Sequence, residues 1–205
     1  MITRGEAAER APVAGLLLAA GSGSRLGTPK ALVEFGGERL VDRGVRLLHD
    51  GGCHPVVVVL GAAIAQVRGA VAVRNPEWRS GMGSSLRVGL DALPDEVRHV
   101  VIALVDQPFV GPEAVRRLIR AARDGASVAV ATYGGAPRNP VLIAREHFAE
   151  VAALATGDVG ARPFLRAHPE LVAGVPCDDA GDPADIDTPA DLSALRAAGR
   201  PAQAP

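Results

Sequence analysis

Between residues 16 and 30 the chain reads Leu-Leu-Leu-Ala-Ala-Gly-Ser-Gly-Ser-Arg-Leu-Gly-Thr-Pro-Lys. An apolar run from Val13 to Ala20 breaks into a loop with glycines at 21, 23 and 27, a guanidinium at Arg25 and an ammonium at Lys30. Glycine lets backbone N–H groups approach a phosphate because no Cβ stands in the way, and two cations add charge that neutral amides lack. A plain strand-to-helix turn with two solvated cations would use the same glycines; the paired Arg and Lys favour a phosphate cradle.

The spacing matches neither of the two standard phosphate loops. A dinucleotide fingerprint needs glycines at i, i+2 and i+5, but counted from Gly21 the third place falls on Leu26. A P-loop needs Gly-Lys-Ser/Thr, whereas Gly27 is followed by Thr28 and Pro29 before Lys30, and the proline removes an N–H.

Carboxylates come next. Asp106 ends the run Val100–Val105 and precedes Gln107-Pro108, so a strand would deliver it where ligands bind in open α/β sheets. It reads as a magnesium ligand, with a turn-forming Asp as the alternative. A second carboxylate comes from Asp185 or Asp187. In an extended segment both point the same way, with Ile186 opposed. Proximity to the helix start at Thr188 favours Asp187, whereas Asp191 at N3 serves the helix terminus. A third constellation runs from Asn75 to Leu86. Gly81 and Gly83 would let the backbone pass close to a flat base, and Ser84 and Ser85 supply hydroxyls or cap the next helix.

The chain has 205 residues, 48% hydrophobic and 22% charged, which suits one globular domain. A net charge of −1 without a Lys/Arg-rich run argues against a nucleic-acid partner. Cys53 and Cys177 form no CxxC and read as buried, reduced thiols. No apolar run suits a signal peptide or a membrane span, so a cytoplasmic location without a membrane partner is expected. The five histidines form no ligand pair and are assigned structural roles. No Ser-His-Asp or Cys-His set stands out.

Residues 1–12 and 199–205 read as disordered tails flanking a single domain over 13–198. Strands are predicted at Val13–Ala19, Pro55–Leu60, Ala70–Arg74, His99–Val105 and Ser127–Ala131. Helices are predicted near Arg39–His49, Ile64–Arg68, Ser84–Leu93 and Pro112–Ala122. This alternation predicts an α/β, doubly wound sheet of parallel strands. After Ala131 the pattern changes: Tyr133–Pro140 reads as a loop, Val141–Ala144 as a strand, and Glu146–Leu154 and Gly160–His168 as helices. Residues 131–170 are thus expected to form an acceptor-side lid or wall. Thr188, Pro189 and Asp191 read as N-cap, N1 and N3 of a helix reaching about Ala198.

The signature Leu-Ala-Ala-Gly-x-Gly-x-Arg-x-Gly-x-x-Lys resembles the MobA-like nucleotidyltransferases, relatives of the sugar-nucleotide pyrophosphorylases. The resemblance runs from Leu16 to Leu192 with motifs in the same order, and it implies a mostly parallel, Rossmann-like three-layer nucleotidyltransferase fold. By it, Leu18, Ala19, Ala20, Gly21, Gly23, Arg25 and Lys30 wrap a nucleoside triphosphate. Asn-Pro-x-Trp-x-x-Gly-Met is similar to a family loop that holds the nucleotide, which implicates Gly83, Ser84 and Ser85. Asp-Ile-Asp-Thr-Pro is similar to the closing motif of the molybdenum cofactor cytidylyltransferases, whose second Asp binds metal; this points to Asp187 beside Asp106 around Mg2+. Gly-Met-Gly-Ser-Ser-Leu, Asp-Gln-Pro and Leu-Ala-Ala-Gly look more like the cytidylyl branch than the guanylyl branch. The implied substrates are CTP and a phosphorylated acceptor such as molybdopterin, with a molybdoenzyme or chaperone receiving the product.

One departure concerns the acceptor. Family members commonly carry Gly-His-Pro where this chain has Arg138-Asn139-Pro140, the stretch expected to face the second substrate. The expected reaction is attack by a substrate phosphate on the α-phosphate of CTP. A phosphate monoester is mostly dianionic at neutral pH, so no general base is needed. Arg25, Lys30 and Asp106 are the expected catalytic residues. The alternatives are a guanylyl or other nucleotidyltransferase, an NAD(P)-dependent oxidoreductase, and a nucleotide-sensing module that has lost transfer.

Overall fold

The computed structural model describes residues 12–198, so the expected tails lie almost wholly outside the described residues. In chain order the elements are β1 (Val13–Ala19), β2 (Glu34–Phe35), β3 (Glu38–Arg39), α1 (Leu40–Asp50), β4 (Val56–Leu60) and β5 (Val71–Arg74). Then come α2 (Met82–Asp91), β6 (His99–Leu104), α3 (Pro112–Arg123), β7 (Val128–Tyr133) and β8 (Ala136–Ala144). The chain continues through α4 (Phe148–Leu154), α5 (Arg162–Ala167), β9 (Val172–Pro176) and α6 (Pro189–Ala198).

Seven strands form one sheet in the order β5-β4-β1-β6-β8-β7-β9, with β2 and β3 a separate hairpin. Strand β1 pairs in parallel with β4 on one side and β6 on the other. The chain reverses its direction of travel across the sheet between β5 and β6, so the loops after β1 and β6 open at one topological switch point.

Strict alternation along β1 divides the core. Leu17 and Ala19 pack with Val41, Leu48, Leu118 and Ile119 from α1 and α3 on one face. Leu16 and Leu18 pack with Leu86, Val151 and Phe164 from α2, α4 and α5 on the other. A sheet covered on both faces explains why β4 is a continuous run, Val-Val-Val-Val-Leu, buried throughout.

The fold departs from the sequence reading at particular segments. Ile64–Arg68 forms no helix: it is irregular chain, and Ile64 is 79% exposed. The sheet is mostly parallel, as expected, with β8 running antiparallel to both neighbours, β6 and β7. Tyr133–Pro140 is not a loop but a β-hairpin, turning at Gly134 and Gly135 with φ of 57° and 75°. Two consecutive positive-φ positions suit the tight primed turns that match strand twist, and glycine takes them without a Cβ penalty.

A further irregularity lies in that hairpin. Val130 pairs with Val141, but the next residue, Ala131, pairs with Arg138. Asn139 and Pro140 therefore form a bulge in β8, the setting in which a strand interior accepts proline. Strand β9 at the sheet edge was not predicted. Cys53 and Cys177 are buried free thiols. His49, His147 and His168 bond within the fold to Gly69, Ser127 and Glu150. Among the described residues no helix is long and apolar enough to cross a membrane.

Candidate active site

The loop leaving β1 is shaped by Gly23. Its carbonyl accepts the N–H groups of Leu26 and Gly27 at 2.8 and 2.9 Å. Its φ is +57°, and a Cβ there would lie 2.1 Å from the Thr28 carbonyl oxygen, so glycine alone fits. The loop ends in a single helical turn, Lys30–Leu32, anchored by the fully buried Ala31. Arg25 is exposed on the loop and makes no ion pair among the described residues.

Lys30 reaches across the switch point. Its Nζ donates to Asp106 Oδ2 at 2.6 Å and to Asp187 Oδ1 at 2.5 Å. Burial works against the ammonium, but the charges and hydrogen bonds of the two aspartates outweigh it, and the Lys30 pKa is raised. Residues 76 and 157 positions away thus meet at one cationic nitrogen.

Each carboxylate has a backbone reason for its place. Val105 extends the line of β6 by donating its N–H to the Leu18 carbonyl at 3.2 Å, and the chain then turns out at Asp106. The Asp106 carbonyl accepts the Ile186 N–H at 2.8 Å, and the fully buried Ile186 side chain pins the 185–187 segment to the core. Beyond it, Asp191 Oδ2 accepts the N–H groups of Asp187 and Thr188, while Thr188 Oγ1 accepts from Asp191. This capping box opens α6 and fixes the backbone of Asp187.

Asp185 and Asp187 separate by partner. Asp187 faces Lys30, whereas Asp185 accepts from Gln107 Nε2 at 2.8 Å. Burial, reinforced by Asp106 and Asp187 and opposed by Gln107, raises the Asp185 pKa. Among the described residues no group of three or more His, Cys, Asp or Glu could hold a metal by itself. Two carboxylate oxygens converging on one cationic centre nevertheless match what a hard dication takes from a protein when phosphate oxygens complete its shell.

Gly83, Ser84 and Ser85, expected at the nucleotide, are held by hydrogen bonds within and around their own segment. Asn75, 1% exposed, donates from Nδ2 to Ser84 Oγ at 2.8 Å and Ser85 Oγ at 2.9 Å. The Gly83 N–H donates to the Gly157 carbonyl at 2.8 Å, and a Cβ on Gly83 would lie 2.5 Å from the Ala155 carbonyl oxygen. These residues brace the 75–85 segment internally and against residues 155–157.

A cleft of about 810 Å³ opens between the sheet, α2 and α5, with Met82 and Leu86 of α2 in its lining. Leu18, Ile102, Val130 and Val141 give it an apolar floor, and Gln107 and Asp185 stand at the end nearest Asp106. Of the residues expected at the acceptor, Arg138 and Asn139 line it, and Pro140 sits beside them in the bulge. Arg162, Arg166, Gln107 and Asp185 also line the cleft but were not singled out in the sequence as acceptor-side residues. The one available signal was Gln107 directly after Asp106.

A model of the MobA-like NTP transferase domain matches residues 15–172. Nicotine blue oxidoreductase of Paenarthrobacter nicotinovorans is 41% identical over 190 residues, 86% of this chain and 92% of that one. The 2-C-methyl-D-erythritol 4-phosphate cytidylyltransferase of Saccharopolyspora erythraea is 36% identical over 135 residues, 58% of each chain. The crystal structure of Rv0371c from Mycobacterium tuberculosis H37Rv superimposes with a TM-score of 0.78 at 28% identity, covering 91% of this chain and 98% of that one. Its complex with manganese gives a TM-score of 0.75 at 25% identity over 92% and 100%.

Proposed function

We propose that this chain, which belongs to the MobA-like NTP transferase family, is a divalent-metal-dependent nucleotidyltransferase over a single domain, 13–198. The carrying observation is the meeting of Lys30, Asp106 and Asp187 at the carboxyl end of the sheet. Asp106 and Asp187 would hold Mg2+ or a similar dication. When bound, such an ion supplies positive charge that neutralises the triphosphate and polarises its phosphorus–oxygen bonds.

The chain's own residues do the rest. Backbone N–H groups of the Leu18–Gly23 stretch, with Arg25, cradle the triphosphate, and Lys30 screens the leaving phosphates. The cleft presents a phosphate monoester of the acceptor to the α-phosphorus. An acceptor oxygen forms the new P–O bond, the bond from the α-phosphorus to its bridging oxygen breaks, and pyrophosphate leaves with the electron pair. No proton need be removed from a dianionic phosphate, so alignment and charge neutralisation carry the rate.

The motif set around Gly83, Ser84 and Ser85 favours CTP as donor, and the resemblance favours a molybdopterin-type acceptor beside Arg138, Asn139 and Pro140. A molybdoenzyme or its chaperone would then receive the product, in the cytoplasm. Pyrophosphate release from CTP, GTP, ATP and UTP with magnesium or manganese, with molybdopterin as acceptor, tests this reading. Release that prefers CTP and needs metal supports it, and no release from any triphosphate contradicts it.

The 41% identity to nicotine blue oxidoreductase across most of both chains favours a second reading, an oxidoreductase. The glycine pattern from Gly21 to Gly27 lacks the dinucleotide spacing. Titration with NADH and NADPH decides: tight binding of either, with no binding of any metal–triphosphate, replaces the first reading by the second.

A further inference from the structure

Arg43, in the first turn of α1, ties together the segments that carry Lys30 and Asp106. Its Nε donates to the Pro108 carbonyl at 2.7 Å, two residues beyond Asp106. Its guanidinium carbon lies over two rings, 5.7 Å from the centre of Phe35 and 5.9 Å from that of Phe109. Those rings meet edge to face, with centres 5.2 Å apart and planes at 81°. Phe35 follows Lys30 by five residues, and Phe109 follows Asp106 by three. The segment that carries Asp187 joins through backbone: the Phe109 carbonyl accepts the Asp182 N–H at 3.0 Å, and the Gly111 N–H donates to the Ala180 carbonyl at 2.8 Å.

Arg43 is not itself bonded to Lys30, Asp106 or Asp187. Its charge is loosely met, because the nearest carboxylate oxygen, on Glu38, is 4.0 Å away and is bonded to Arg46 at 2.6 Å. The guanidinium therefore acts through its shape, as a planar cation that donates to a carbonyl while resting over aromatic rings. Without it, the Asp106 loop loses its tie to the Phe35 hairpin, and the spacing of the Asp106 and Asp187 carboxylates is no longer held from outside. That spacing decides which dication fits. Magnesium demands near-ideal octahedral oxygens at about 2.0–2.1 Å, whereas calcium accepts looser shells at about 2.3–2.6 Å.

We propose that Arg43 is a positioning residue: through Phe35, Phe109 and the Pro108 carbonyl it fixes the spacing of the Asp106 and Asp187 carboxylates and makes the site favour a small dication over a larger one. This role rests on the reading of Asp106 and Asp187 as metal ligands.

The test is calorimetric titration with CTP at saturating magnesium and, separately, at saturating calcium. Arg43→Met keeps the apolar stem; it lowers the magnesium-supported affinity about tenfold, the scale on which groups that support metal ligands act, and the calcium-supported affinity by a smaller factor. Arg43→Lys does not restore the difference, since an ammonium lacks the planar fork. Phe109→Leu, which removes one ring, carries the same test independently and shifts the ratio the same way. The control is Arg145→Met: that guanidinium donates to the Pro94 and Val97 carbonyls and lies over the Phe148 ring, a matching clamp at the opposite end of the sheet. It leaves the ratio unchanged. A loss of fold stability alone lowers the binding-competent fraction, and so both affinities, by one common factor. Equal losses with the two ions in Arg43→Met and Phe109→Leu, or no loss in either, overturn the positioning role while leaving the metal site in place. Failure of the unsubstituted chain to bind CTP with either ion removes the metal-site reading and the positioning role with it.

Discussion

The Ile186 N–H donates to the Asp106 carbonyl at 2.8 Å, one rung joining segments that each carry a carboxylate of the site. The side chain between Asp185 and Asp187 is fully buried, so core packing sets where Asp187 points. Ile186→Ala should destabilise the fold by about 3 kcal/mol in denaturant titration, as large-to-small changes at fully buried sites do. It should also weaken manganese–CTP binding, whereas Ile186→Val should cost about 1 kcal/mol and preserve it.

Lys30 holds two carboxylates that would otherwise face each other without a cation. Lys30 and Asp106 side chains are 16% and 18% exposed, but Asp187 is 47% exposed, so the penalty for breaking the cluster is smaller than for a fully buried pair. Lys30→Met is expected to lower stability by about 1–2 kcal/mol on those grounds. Added manganese should raise the melting temperature of the variant more than that of the parent, because a dication takes over the ammonium's place. An equal rise in both proteins would contradict this coupling.

Burial pushes the Cys53 thiol from its ordinary value of 9.0 up to about 12. The unfolded thiol ionises from about pH 8.5 while the buried one keeps its proton, so the folded state binds more protons and stability falls as pH rises. The contribution is present below the unfolded pKa and is lost toward pH 12 at up to about 1.4 kcal/mol per unit. Cys53→Ala should flatten this alkaline limb in denaturant titrations between pH 8.5 and 10. Burial also raises the Cys177 thiol, which acts in the same direction and leaves part of the slope.

What could be read in advance followed the strength of local signals. Val13–Ala19 was legible to the residue because a continuous apolar run ending in glycines has few other solutions. Asp106 was legible as the residue at which β6 gives way to its loop. Ile64–Arg68 misled because five residues are too few to separate periodicity from chance. The 133–140 hairpin was hidden by its own turn: Gly134, Gly135 and two prolines look like loop residues, and a bulge is what admits Pro140 to a strand. Strand β9, Val-Ala-Gly-Val-Pro, is an edge strand without a buried face to pattern. Arg162 and Arg166 carried no signal, since an exposed helical arginine is ordinary until tertiary structure places it at a cleft.

The most direct measurement of the central claim is thermal unfolding with manganese and CTP, together and singly, for the parent chain, Asp106→Asn and Asp187→Asn. Ligand at about 100 times its Kd should stabilise the parent by about 2.7 kcal/mol, a rise of a few degrees that needs both components. Both variants should lose that rise while keeping a cooperative transition. Full stabilisation of Asp106→Asn and Asp187→Asn by manganese and CTP, or stabilisation of the parent by NADPH alone, would contradict the account.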